Sequence, residues 1–158
     1  KSRRKVMPRT LYLIHVFTHA TRSWIDDELK GLGFTSMQFT VLSLIRDHPG
    51  ITSADLSRRF YVSPQTMGNT IFNLEDNGLL SKRADDRNRR FMRLQLTTKG
   101  GELVAQGDAT VSRIENELFG RLSPEDVETM HESIAAMLAR LRGARQSGER
   151  VTESIGKD

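Results

Sequence analysis

Two adjoining stretches, residues 52–79 and 80–97, constrain this chain more than any other feature. In the first, Thr52 and Asp55 have the spacing of a capping box, so a short helix can start at Ser53 with its free N–H groups answered. Ala54, Leu56 and Phe60 give that helix an apolar stripe, and Val62 turns into the core. Ser63 then offers an N-cap oxygen, and Pro64 takes the first helical position, where its missing N–H costs nothing. Met67, Ile71, Leu74 and, past the helix end, Leu79 repeat on one side of this second helix, which Asn77-Gly78 terminates. The second stretch reads as two short strands flanking a basic loop. Together they spell a helix-turn-helix followed by a wing.

The face opposite the apolar stripe carries Gln65, Thr66, Gly68, Asn69, Asn73 and Asp76. Small and amide side chains with few charges suit a surface pressed on base edges. Gln and Asn can bond adenine at two points, and Thr or Ser can reach other edges. With Ser63 and Pro64 at its start, this helix is the candidate recognition element. Beside it, residues 81–93 hold six bases, Lys82, Arg83, Arg87, Arg89, Arg90 and Arg93, against Asp85 and Asp86, a net +4. The whole chain is also +4, so everything outside the wing sums to zero. Phosphate neutralisation requires such a cationic hairpin, and an Arg at its tip can enter a narrow minor groove. Lys82, Arg87, Arg89 and Arg90 are the candidate wing contacts. The plainer reading is a solvated charge run that guards an edge hairpin from aggregation.

Long amphipathic segments lie on both sides. Residues 9–30 place Leu13, Val16, Phe17, Ala20, Trp24, Ile25 and Leu29 at helical spacing. Thr35 and Gln38 form another capping box, opening a helix that is apolar on most sides and so is expected to be buried; His48-Pro49-Gly50 stops it. After the wing, one helix is expected from about Glu102 to Phe119. Another is opened by Ser123-Pro124-Glu125-Asp126, runs through Ile134, Met137 and Leu141, and ends at Gly143. The expected organisation is an N-terminal dimerisation helix in 1–34, a winged helix-turn-helix in 35–97, C-terminal dimerisation helices in 98–143 and a polar, disordered tail in 144–158. The fold class is mostly α with a small two-stranded β-wing.

Exclusions narrow the function. The chain has no cysteine, which removes disulfides, thiolate metal sites and thiol redox sensing. It lacks the glycine-rich phosphate loops, the G-x-S-x-G elbow and the H-E-x-x-H pair that mark common enzymes. The carboxylate runs Asp26-Asp27-Glu28 and Glu125-Asp126 read as solvated or capping groups. No apolar run approaches the ~18 residues of a membrane span and no signal-peptide pattern follows the basic start, so a soluble, cytoplasmic protein without cofactor is expected.

The order and spacing of Gly33-Phe34-Thr35-x-x-Gln38-Phe39, His48-Pro49-Gly50, Leu56, Val62-Ser63, Thr66, Leu74-Glu75-x-x-Gly78-Leu79, Asp85, Arg87, Arg89, Arg90 and Leu96-Thr97-x-x-Gly100 resemble the MarR family of bacterial winged-helix regulators, over about Leu11 to Leu141. One position departs. The family's Asp two residues before the second wing Arg is Asn88 here, so either Asp85 or Asp86 takes over the bracing ion pair or the wing is looser.

The resemblance implies a homodimer whose first and last two helices interleave, binding double-stranded DNA at an imperfect palindrome and repressing a neighbouring gene. The outer amphipathic helices need a partner surface on their own account. It also implies release by a small, often phenolic or aromatic acid. His15, His19 and Arg22 at i, i+4 and i+7, with Trp24, Met37 and Phe39, are the candidate effector residues, an Arg or His pairing a carboxylate beside aromatic and sulfur side chains. For each residue alone, the plainer reading is a dimer-interface histidine, a structural ion pair or core. His15 and His19 also have metal-binding spacing, but His48 and His131 are isolated, and no metal site is expected. Two other functions remain open: a winged-helix module that binds protein, and a constitutive DNA-binding protein without effector.

Overall fold

A computed structural model of the chain describes residues 9–85, 88 and 92–155, without the side chains of 144–155. Its elements are α1 (Thr10–Leu29), a 3-10 turn (Lys30–Leu32), α2 (Ser36–Asp47), α3 (Ser53–Phe60), α4 (Pro64–Asp76), β1 (Leu80–Ala84), β2 (Met92–Leu96), α5 (Thr98–Phe119) and α6 (Pro124–Ile155). The strands pair antiparallel, with Leu80 opposite Leu96 and Ala84 opposite Met92. This is the mostly helical, winged helix-turn-helix architecture that the sequence predicts. The chain divides into two compact units, the first ending at Ile114 and the second starting at Glu115 within α5.

Local chemistry sets the helix starts of the first unit. The Thr35 hydroxyl accepts the Gln38 N–H at 3.3 Å, while Gln38 Oε1 accepts the Thr35 N–H at 2.9 Å. Thr52 and Asp55 repeat the exchange for α3, at 3.2 and 3.0 Å. Ser63 Oγ accepts the Thr66 N–H at 3.1 Å with Pro64 at the first helical position. Between α3 and α4 the chain turns through Tyr61 at φ 54°, a left-handed conformation uncommon for a non-glycine residue.

The core gathers one face from each element: Val41, Leu42 and Ile45 of α2, Leu56 of α3, Met67, Ile71 and Leu74 of α4, Leu80 and Leu94 of the strands, and Val104 of α5. Each fully buried Leu or Ile contributes about 1.5 to 3 kcal/mol, so α4 is held by its inner face. Helix α2 is buried on most sides, as its composition predicts. The α3 stripe is narrower than expected. Leu56 is buried and Phe60 half-buried, but Ala54, two residues before Leu56, is exposed. A spacing of two turns a helical residue about 200° away, so Ala54 and Leu56 cannot share a face.

Two glycines join α4, the wing and α5. Gly78 leaves α4 at φ 68° and delivers Leu79 and Leu80 to the core. Gly100, in the first turn of α5, lies so close to the preceding chain that a Cβ there would stand 1.9 Å from the Leu79 carbonyl oxygen. Thr97 fastens the same place. Its hydroxyl donates to the Gly78 carbonyl at 2.7 Å and accepts the Gly100 N–H at 3.0 Å.

In the second unit, Ser123 and Asp126 form the capping box expected for α6, the Asp126 N–H reaching Ser123 Oγ at 3.1 Å. The helix does not stop at Gly143 but continues to Ile155, where a disordered tail is expected from sequence. An internal Gly costs a helix only about 1 kcal/mol, and the following Ala144, Arg145 and Gln146 are good helix formers.

Gly100→Ala is expected to destabilise the protein by about 3 kcal/mol, since backbone must shift to admit the methyl; Gly101→Ala, where a Cβ meets nothing within 4 Å, is the control in a urea melt. Asp55 makes a pH test. The Thr52 hydroxyl, outweighing the opposing effect of burial, holds its carboxyl below the usual value, aided by the Thr52 N–H and Arg58. A carboxylate lowered by folding contributes stability above its unfolded pKa of about 4 that is lost as pH falls through the folded value. Asp55→Asn should therefore cost about 1 kcal/mol at pH 7, with the gap from wild type narrowing in thermal melts as pH falls below the ordinary carboxylate value and through the lowered folded one.

Candidate nucleic-acid interface

Helix α4 presents two unlike sides. Met67, Ile71 and Leu74 are buried, whereas Ser63, Pro64, Gln65, Thr66, Gly68, Asn69 and Asn73 are all exposed. At about 100° per residue, Gln65, Asn69 and Asp76 point away from the core. Ser63 and Thr66 hydroxyls lie 2.8 Å apart, which ties both to the helix cap and leaves the amides as the freer candidates. A Cβ on Gly68 would meet nothing within 4 Å, so the helix surface there is open to close approach. One member of this side is not among the sequence candidates. Phe72 is 63% exposed and shares the outward face with Gln65, Asn69 and Asp76. The signal was its offset of one residue from Ile71, about 100° away from the core.

The wing is braced at its base. Arg93 Nε donates to Asp85 Oδ2 at 2.5 Å and its Nη1 to the Gly50 carbonyl at 2.7 Å, while the Asn88 N–H donates to Asp85 Oδ1 at 3.1 Å. Asp85 thus supplies the brace for which Asp85 and Asp86 are the sequence alternatives. Arg93 stands opposite Arg83 in the ladder, a like-charge pairing that the Asp85 carboxylate relieves. The Leu94 N–H bonds the Ile51 carbonyl at 3.0 Å, tying the second strand to the α2–α3 linker. Lys82 is less free than its sequence position suggests, because its Nζ lies 2.6 Å from Glu75 Oε2 in the last turns of α4. Counting Glu75 with the wing lowers the local excess from +4 to +3. Arg87, Arg89 and Arg90 lie outside the described residues.

The candidate effector residues do not share one surface. His15 and His19 are exposed neighbours on α1 with ring centroids 6.5 Å apart. Arg22 continues their line and pairs with Asp26 at 3.7 Å. Burial raises the Asp26 pKa, but the Ser36 N–H at 2.6 Å, the Ser36 side chain and Arg22 outweigh it and leave the net shift downward. Trp24 lies nine positions beyond His15, about half a turn round the helix, and its indole N–H reaches Glu28 at 3.4 Å. Met37 packs half-buried against the core. Phe39 is inside it, stacked on Phe34 at 6.0 Å, with a Cβ on Gly107 2.6 Å from its ring. Among the described residues no group of three or more His, Asp or Glu could hold a metal ion, and no helix is long and apolar enough to cross a membrane.

Residues 32–90 match the sequence profile of the MarR family. The HTH-type transcriptional repressor Rv2887 of Mycobacterium tuberculosis is 30% identical over 112 residues, 71% of this chain and 81% of that protein. Among solved structures, the S. aureus MepR–DNA complex is 26% identical with a TM-score of 0.76, over 84% of this chain and 96% of that one. The transcriptional regulator SlyA has a TM-score of 0.79 at 20% identity, over 87% and 96%, a likeness of fold alone. These relatives are transcriptional regulators rather than enzymes. The profile match spans the helix-turn-helix and the first wing strand, and with a repressor 30% identical over 71% of this chain and 81% of its own length, the chain belongs to the MarR family of winged-helix transcriptional regulators.

Proposed function

We propose that this protein is a sequence-specific repressor that binds double-stranded DNA as a homodimer at an imperfect palindrome. The observation that carries the reading is the outward face of α4, fully exposed and amide-rich, set beside a braced cationic wing. In this reading α4 lies in the major groove, with Gln65 and Asn69 bonding base edges, Thr66, Gly68 and Asn73 lining the approach, and Ser63 and Pro64 near the backbone. The wing, with Lys82, Arg87, Arg89 and Arg90, neutralises flanking phosphates.

Two exposed apolar surfaces support self-association. Leu11, Tyr12, Leu13, Ile14 and Val16 are 42 to 80% exposed on α1, and Ile134, Met137, Leu138 and Leu141 are 40 to 55% exposed on α6. Apolar area of this extent marks an interface, and a second copy covers like with like. Two copies related by a two-fold axis read half-sites about one helical turn apart.

An effector completes the proposal: a small aromatic or phenolic acid bound near His15, His19 and Arg22, shifting the dimer to a spacing of α4 helices that misfits B-DNA. One set of observations favours a second reading, a constitutive DNA-binding protein. Arg22 is engaged by Asp26, Trp24 by Glu28, and Phe39 by the core.

Gln65→Ala and Asn69→Ala should each weaken binding to the selected operator about tenfold or more while leaving scrambled DNA nearly unaffected, as uncharged readers do. Equal losses on both duplexes in fluorescence anisotropy would contradict the assignment of these two residues as base readers, and an affinity indifferent to salt would favour a protein-binding module. For the effector, hydroxybenzoates titrated calorimetrically into free dimer and into the dimer on its operator should bind the free form more tightly. Coupling is reciprocal: a hundredfold release of DNA demands a hundredfold difference between the two titrations, about 2.7 kcal/mol. Equal affinities would leave the constitutive reading standing.

A further inference from the structure

Phe72 has no place in the core and no apolar neighbour on its own side of α4. It is 63% exposed, with Gly68 one turn before it, Asn69 and Asn73 beside it and Asp76 one turn after. Large apolar residues at exposed positions of α1 lie among other apolar residues, but this one stands alone in the amide-rich face. An aromatic ring held in water on a helix gains nothing for the fold, since Phe is also a poorer helix former than the polar residues that suit such a position. A single exposed apolar residue needs no partner for the sake of the fold, so what singles this one out is its place in the middle of the candidate DNA-reading face.

We propose that Phe72 reads a thymine: its ring packs on the C5-methyl group in the major groove, an apolar specificity contact set among the polar readers. This inference rests on the DNA-reading function proposed above. The major-groove edges offer hydrogen-bond donors and acceptors at every base pair and one apolar group, the thymine methyl. Helical side chains tilt toward the N-terminus of their helix, so the Phe72 ring lies over the turn that holds Gly68 and Asn69. Gly68 has open space where a side chain would stand, which leaves the ring clear access to the groove floor. Phe72 is the ninth of the thirteen residues of α4, and the tilt carries its ring back over the middle of the helix, next to the N-terminal part that meets base edges. Asn69, one turn from Phe72 on the same face, can take the adenine of a neighbouring pair, so the two together favour an A·T-containing half-site.

The test uses the full-length protein and operators selected from random DNA, in parallel for the wild type and Phe72→Ala. Deoxyuridine is then placed for thymine, one position per half-site at a time, which removes the methyl and nothing else. The wild type should lose about fourfold in affinity per half-site at one thymine, and about fifteenfold when both half-sites are changed, the worth of one buried methyl each time. Phe72→Ala should bind the thymine operator correspondingly less tightly, show no difference between thymine and deoxyuridine, and no longer enrich that thymine. Phe72→Leu should keep part of the difference. Equal thymine-to-deoxyuridine ratios in wild type and Phe72→Ala at every position overturn the inference, with or without an altered oligomeric state, which would assign the ring to a protein contact. A wild type that selects no duplex at all overturns the DNA-reading function itself, so the two failures are distinct.

Discussion

The close approach of α5 to the carbonyl of Leu79 is the contact on which the rest of the DNA-binding surface depends. With 1.9 Å between that oxygen and the place of a Cβ, only glycine allows the first turn of α5 to sit against the chain leaving α4. Three further bonds converge there. Thr97 donates its hydroxyl to Gly78 and its N–H to Leu79, and Lys99 Nζ reaches the Asn77 carbonyl at 3.0 Å. Residues 77–79 answer the carbonyls of Asn73, Leu74 and Glu75 in the last turn of α4, and Thr97 and Lys99 answer the three carbonyls that follow the helix. The direction of the recognition helix is thereby set by the helix that continues toward the second unit, and the wing strands begin and end at the same knot.

Charge plays a positioning role in this molecule more than a stabilising one. The Lys82–Glu75 and Arg93–Asp85 pairs are partly solvated, and pairs of that kind add at most about 1 kcal/mol. Their value lies in geometry. Glu75 ties the first wing strand to α4, and Arg93 ties the second to the Gly50 carbonyl. The same pairs temper the cationic field that composition alone would suggest, and they do so close to the recognition helix.

Much of this was legible in the sequence because the relevant signals are local. Thr35 with Gln38, Thr52 with Asp55 and Ser63 with Pro64 place three helix starts within a residue, since a capping exchange spans only three positions. The wing was legible as two short strands flanking a basic loop. What was not legible involves residues that meet across the fold or whose angle about a helix decides their role. The Glu75–Lys82 pair joins two elements that no spacing rule connects. Trp24 reads as a neighbour of His15 and His19 by number, yet lies about half a turn away. Gly143 has the composition of a helix stop, but a lone glycine with helix formers after it does not end a helix that is already nucleated. Phe72 is absent from the polar face read from sequence because only small and polar side chains count toward that face, although one residue past Ile71 it turns about 100° from the core.

Among the described residues the wing ladder has five residue pairs in two strands, a size that is marginal for a free ribbon in water. Its inner residues Leu80 and Leu94 nevertheless sit in the main core, and the Leu94 N–H is committed to Ile51 on the linker between α2 and α3. The base of the wing therefore borrows its stability and cannot open by itself without breaking into the helix-turn-helix. Amide protons at its root are released on the timescale of whole-domain unfolding rather than of ribbon fraying. The consequence is mechanical coupling: the wing's root and α4 move as one body, and a load placed on either one is carried by both.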